Sequence, residues 1–133
     1  METNIENIYA GGDVAELNGR IYGNWVVSSE MGKIAGANAA GEDSAFKDMV
    51  CSTAFNAMNI HLFSTGELLS KDNNLVEYSL KNPNKNLYKK LFFIDDKIVG
   101  GILMGDTKKS VRVSELIQTK RSMSEVIREN ILV

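Results

Sequence analysis

Residues 88–104 read Tyr-Lys-Lys-Leu-Phe-Phe-Ile-Asp-Asp-Lys-Ile-Val-Gly-Gly-Ile-Leu-Met. Two runs rich in β-branched, aromatic and long apolar side chains, 88–94 and 97–104, flank Asp95-Asp96. Carboxylate residues tolerate the tight backbone of a two-residue turn, so the stretch reads as a β-hairpin. Its second arm, Ile98 to Met104, shows little polar alternation. A strand of that kind sits centrally and is covered on both faces, and Gly100-Gly101 within it mark a bulge or a close approach.

Working outward, residues 75–80 (Leu-Val-Glu-Tyr-Ser-Leu) form a second alternating strand, and 81–86, holding the only proline and three asparagines, a turn or mobile loop. Further upstream, residues 50–57 and 59–64 read as extended segments, with Cys51 a small buried hydrophobe. His61 falls on the polar side of the 58–63 alternation and reads as an exposed strand histidine. Downstream, Thr107 is a candidate cap for a helix with Val111, Leu116 and Ile117 inward. A second short helix follows Ser122, capped by Ser122 or Ser124, with Met123, Val126, Ile127 and Ile131 inward. Lys108, Lys109, Arg112, Lys120, Arg121 and Arg128 form its solvated face. The fold class is α+β: a small antiparallel sheet of four or five strands with C-terminal helices.

The N-terminal part has a different grammar. Ile8-Tyr9-Ala10 reads as a short apolar strand ended by the turn Gly11-Gly12-Asp13. Paired glycines let the backbone take positive φ or approach a ligand closely. A carboxylate just past a strand end is placed to accept hydrogen bonds from ligand hydroxyls, as at the ribose corner of an open α/β sheet. After a loop punctuated by Gly19 and Gly23, a helix runs from Asn24, its N-cap, to about Ala40, with Gly41 as its stop. Val26, Met31, Ile34 and Ala35 are its expected inward face, and Gly32 and Gly36 a smooth patch for another backbone. The polar run 42–48 marks a boundary, giving segments 1–48 and 49–133.

Composition narrows the function classes. With 133 residues, 44% apolar and 24% charged, the chain has the make-up of a soluble protein with one sizeable core. A net charge of -2 argues against a nucleic-acid partner. One cysteine excludes an internal disulfide and suits a reducing, cytoplasmic setting; with one histidine it cannot make a His/Cys metal site of the usual ligand count. No apolar run approaches the ~20 residues of a membrane span, and no basic-then-apolar leader is visible. No G-x-G-x-x-G occurs, so the dinucleotide phosphate-binding fingerprint is missing.

The spacing Thr3-x-x-x-x-Ile8-Tyr9-Ala10-x-Gly12-Asp13-x-Ala15 resembles the second flavin-binding motif of the FAD-dependent pyridine nucleotide-disulfide oxidoreductases. The resemblance implies that Asp13 hydrogen-bonds the ribityl chain of FAD, that Gly12 is the close-approach glycine and that Trp25 lies near the flavin ring. It continues through Trp25 to Gly41, with Ser28 where the family more often has Ala and Met31 where it more often has Gln. Residues 60–66, 88–91 and 98–106 resemble the C-terminal domain of NADH:rubredoxin oxidoreductases and NAD(P)H nitrite reductase large subunits. Residues 1–48 are then the strand-turn-helix end of an FAD-binding domain, and 49–133 the C-terminal α+β domain of the reductase. The chain is expected to be the C-terminal part of such an enzyme, with NAD(P)H as co-substrate and a protein or small-molecule acceptor. Alone it is expected to be inactive, to bind no FAD, and to self-associate through the 24–40 helix. The competing readings are a non-catalytic interaction domain and a small-molecule-binding domain using Gly100 to Asp106.

Overall fold

The computed structural model describes every residue except Asp48 and Lys71. The chain divides into two compact units, Met1–Cys51 and Ser52–Val133. The boundary expected at 48/49 falls on Asp48, outside the described residues.

The second unit is a five-stranded, wholly antiparallel sheet with two helices. Its strands are β1 (Ser52–Ala57), β2 (Ile60–Gly66), β3 (Val76–Asn82), β4 (Leu87–Ile94) and β5 (Lys97–Met104), in spatial order β1-β2-β5-β4-β3. The expected hairpin is β4–β5, and its turn residues Asp95 and Asp96 both take left-handed φ, 47° and 63°. Met58 and Asn59 do the same, at 53° and 60°, so they form the β1–β2 turn rather than the start of a strand. Primed turns of this kind match the right-handed twist of the strands they join.

β5 is the middle strand, as its unbroken apolar run implied. The irregularity lies where Phe92 pairs with Gly100 but Phe93 with Ile98, leaving Val99 unmatched as a bulge. Gly101 permits close packing: a Cβ there would stand 2.8 Å from Cγ1 of Val113, in the helix above.

The helices α2 (Ser110–Gln118) and α3 (Met123–Arg128) cover one face. Leu91, Phe93, Ile98 and Leu103 from the sheet are buried with Val113, Leu116, Ile117, Val126, Ile131 and Leu132 from the helical end. Fully burying each large apolar side chain is worth about 1.5–3 kcal/mol. Two expected inward positions are wrong: Val111 is 71% and Ile127 41% exposed; Val113 is buried in place of the first, and Val126, also expected inward, is buried beside the second. Thr107 does not cap α2; its carbonyl accepts from the Ser110 N–H, and Lys109 stands at the cap without a side-chain bond. Ser122 caps α3 in a full capping box with Glu125. Cys51 is only half-buried, its Sγ 3.7 Å from the Met49 carbonyl.

Among the expected solvated cations, Arg112 is paired. It donates to both carboxylate oxygens of Glu129 at 2.6 Å and to Glu115 at 2.9 Å. No helix among the described residues is long and apolar enough to cross a membrane.

Candidate functional site

The first unit is built round α1 (Trp25–Ala39). Asn24 caps it, Oδ1 accepting from the N–H groups of Val26 and Val27 at 3.1 and 3.3 Å. At its other end the Gly41 N–H donates to Asn38 and the Glu42 N–H to Ala37, both at 3.0 Å, with Gly41 at φ 93°. That double bond past a left-handed glycine is a Schellman stop. The inward face is Val27 and Met31, followed by the half-buried Ile34 and Ala35. Val26, expected inward, is 57% exposed, because Val27 and not Val26 lies four residues before Met31.

Residues 8–10 do not form a strand of their own. They pair with the first three residues through one bridge, Glu2 to Tyr9, with Thr3 N–H donating to Ile8 at 2.8 Å and Ala10 N–H to Met1 at 3.1 Å. This ribbon delivers the chain to Gly11, where the backbone crosses α1. A Cβ on Gly11 would stand 2.9 Å from the Met31 carbonyl carbon and 3.0 Å from the Gly32 nitrogen. The close approach to protein backbone thus belongs to Gly11. Gly32 and Gly36, expected to receive another backbone, have open space where a Cβ would be.

Gly12 has a different reason to be glycine. Its φ is 86°, and a Cβ would come 3.3 Å from that of Ser28. Its carbonyl accepts from the Ala15 N–H at 2.9 Å, closing a turn with Asp13 at the apex. Asp13 is exposed, and its Oδ1 accepts from the Ser28 hydroxyl at 3.0 Å. Among the described residues Oδ2 has no hydrogen-bond partner. One carboxylate oxygen is therefore fixed and the other is open to a ligand hydroxyl. A side chain at Gly12 would be strained by the positive φ and crowded by Ser28, so the turn presents bare backbone. Such a corner can accept a hydrogen bond from a ligand hydroxyl.

Trp25 opens α1 and is 83% exposed. Residues three apart are neighbours on a helix surface, so Trp25 and Ser28 flank the same first turn. The structure thus brings Gly12 and Asp13 to the start of α1 through Ser28, and leaves Trp25 beside them without burying it. Ser28 and Gly11 were missed as contributors. The signal for Ser28 was present: a hydroxyl stands where the resembled motif more often has a methyl.

Residues 52–121 match the family model described as the rubredoxin NAD+ reductase C-terminal domain. NADH-rubredoxin oxidoreductase of Clostridium acetobutylicum is 28% identical over 126 residues, which are 95% of this chain and 32% of that protein. A crystal structure of the NADH:rubredoxin oxidoreductase from that organism superposes with a TM-score of 0.76 at 25% identity, covering 98% of this chain and 35% of that one. Nitrite reductase [NAD(P)H] of Bacillus subtilis is 29% identical over 133 residues, 99% of this chain and 16% of its own length. An FAD-dependent pyridine nucleotide-disulphide oxidoreductase from Desulfovibrio vulgaris shares the fold, with a TM-score of 0.62 at 13% identity over 80% of this chain and 29% of that one. The chain therefore spans between about a sixth and a third of the length of these relatives.

Proposed function

The chain belongs to the rubredoxin NAD+ reductase C-terminal domain family, and on that premise we propose that it is the C-terminal portion of an FAD-dependent NAD(P)H oxidoreductase. Electrons would pass from NAD(P)H through flavin to an acceptor of the rubredoxin or nitrite kind. Residues 1–48 would complete the FAD-binding domain and 49–133 form the reductase's terminal domain, in the cytoplasm. The observation that carries this reading is the Asp13 carboxylate, held at the apex of the Gly12 turn with one oxygen bonded to Ser28 and the other open.

In this role Asp13 accepts a hydrogen bond from a ribityl hydroxyl, Gly12 lets the cofactor lie against backbone, and Trp25 flanks the ring. The chemistry supplied by bound FAD is hydride acceptance from the nicotinamide and release of electrons to the acceptor. This segment positions and does not react. The partners are the rest of the reductase, which supplies the dinucleotide phosphate sites, and the acceptor.

One ribityl hydrogen bond is worth about 0.5–1.5 kcal/mol net, so these residues alone retain no flavin. The purified chain, incubated with FAD and dialysed, should be colourless; a retained flavin band would contradict that expectation. The reading itself is tested on the gene. The frame upstream of Met1 should hold two G-x-G-x-x-G fingerprints, and flavin content of that longer protein should fall on Asp13→Ala. A frame without the fingerprints, or full flavin retention in the variant, overturns it.

A further inference from the structure

One end of the sheet in residues 52–133 holds a pocket of about 720 Å³. It lies where the β1–β2 turn, the start of β4 and the end of β5 converge. Volumes of this size take drug-sized ligands. Its walls are set by fixed backbone: Met58 and Asn59 hold left-handed φ, and the Gly105 N–H donates to the His61 carbonyl at 2.9 Å, tying the end of β5 to the start of β2.

Two kinds of surface face the space. Met58, Ile60, Leu87 and Met104 supply an apolar wall with two thioethers, which make favourable contacts with aromatic rings. Lys85, His61 and Asp106 supply charge and hydrogen bonding. Asp106 is the one carboxylate in the lining, and both its oxygens are engaged. Oδ2 accepts from Lys89 Nζ at 3.0 Å and Oδ1 from the Lys108 N–H at 3.2 Å. Its negative charge is thus already met inside the fold. Lys85, by contrast, is exposed and has no ion pair among the described residues. His61 donates from Nδ1 to Asn56 Oδ1 at 2.8 Å, which in the neutral ring leaves Nε2 as a lone-pair acceptor for a ligand hydroxyl or amino group. The unspent groups are one cation, Lys85, and one neutral acceptor, Nε2 of His61, set beside a soft apolar wall.

We propose that this pocket binds a small organic anion with a planar apolar body, about the size of a mononucleotide. Its phosphate or carboxylate sits at Lys85, a hydroxyl or amino group on its body donates to Nε2 of His61, and its ring lies on Met58, Leu87 and Met104. This site is separate from the flavin reading and does not depend on it.

AMP is the probe, titrated into the full 133-residue chain with amide resonances recorded at each step. Saturable shifts should concentrate at residues 58–61, 85–87 and 104–106. Lys85→Ala, an exposed change that leaves the remaining resonances in place, should weaken binding about tenfold through loss of a charge-assisted contact. Lys120→Ala, the same charge change on a distant helix end, should leave binding as it was. Inorganic phosphate should compete far less well than AMP. The proposal fails if AMP gives no saturable shifts in those three segments or if the two lysine variants weaken it equally. It also fails if phosphate displaces AMP as effectively as unlabelled AMP does.

Discussion

Lys89 is an amino group placed inside a hydrophobic core, its side chain 2% exposed against 40% for its partner Asp106. Removing only the carboxylate strands a buried cation, so Asp106→Asn should cost about 2–3 kcal/mol in denaturant unfolding, whereas Lys89→Met, which leaves the carboxylate partly in water, should cost less. The hydrogen bond from Lys89 lowers the Asp106 pKa below its usual value, so the unfolded chain binds the proton more readily. That stability is present above the ordinary aspartate range near pH ~3.9 and is lost as pH falls below it. Lys89 was legible as an inward residue: it sits two and four positions before Leu91 and Phe93, on their side of the strand. Its partner was not, since it lies seventeen positions on, across a turn and a strand. At the other end of the chain, Gly11→Ala would push a methyl into the backbone at Met31 and Gly32 and should destabilise by about 1–3 kcal/mol. Ser28→Ala should be almost neutral for stability, because the bond it removes is exposed. Its effect would appear as freer rotation of the Asp13 carboxyl in side-chain NMR relaxation.

Two of the three α-helix starts could be read from single residues, because a cap is a local hydrogen bond: Asn24 and Ser122 do what their position implied, whereas Thr107 does not cap α2. Helix faces were read less well. Val26-Val27 and Val126-Ile127 are adjacent apolar pairs, and Val111 and Val113 are only two apart. Each allows two phases of a 3.6-residue period, and packing on the sheet chooses between them. Strand order was equally hidden, since nothing in residues 67–75 says that β3 joins the sheet beside β4 rather than β2. Ser122→Ala should cost about 1 kcal/mol through loss of the α3 cap. α3 is also acid-sensitive. The Ser122 N–H holds the Glu125 carboxyl below its usual range, and the Arg112 fork does the same for Glu129. Folded pKa values below unfolded ones mean stability present above about pH 4.3 and lost below it. The double variant Glu125→Gln, Glu129→Gln should flatten the acid limb of the unfolding profile, measured by circular dichroism.

At the scale of the whole chain, the two units differ in what they can bury. Residues 52–133 hold a continuous core from β4, β5, α2 and α3, whereas the first unit buries only Ala15, Val27 and Met31 among its apolar side chains. Small apolar cores are marginal, so 52–133 expressed alone should give a dispersed amide spectrum and cooperative melting, and 1–51 alone should not. Trp25, Val26, Val14 and Ile21 are all more than half exposed, an apolar surface of the kind that finds partners. Light scattering after size exclusion should show concentration-dependent association of the chain, reduced by Trp25→Ser. A strict monomer at all concentrations would count against that surface. Trp25 has one more consequence. It is the only tryptophan in the chain and it stands in water at the opening of α1, so excitation at the red edge, where the four tyrosines do not absorb, selects one position. A ligand or partner that covers the start of α1 should shift the Trp25 emission to the blue, with no label added.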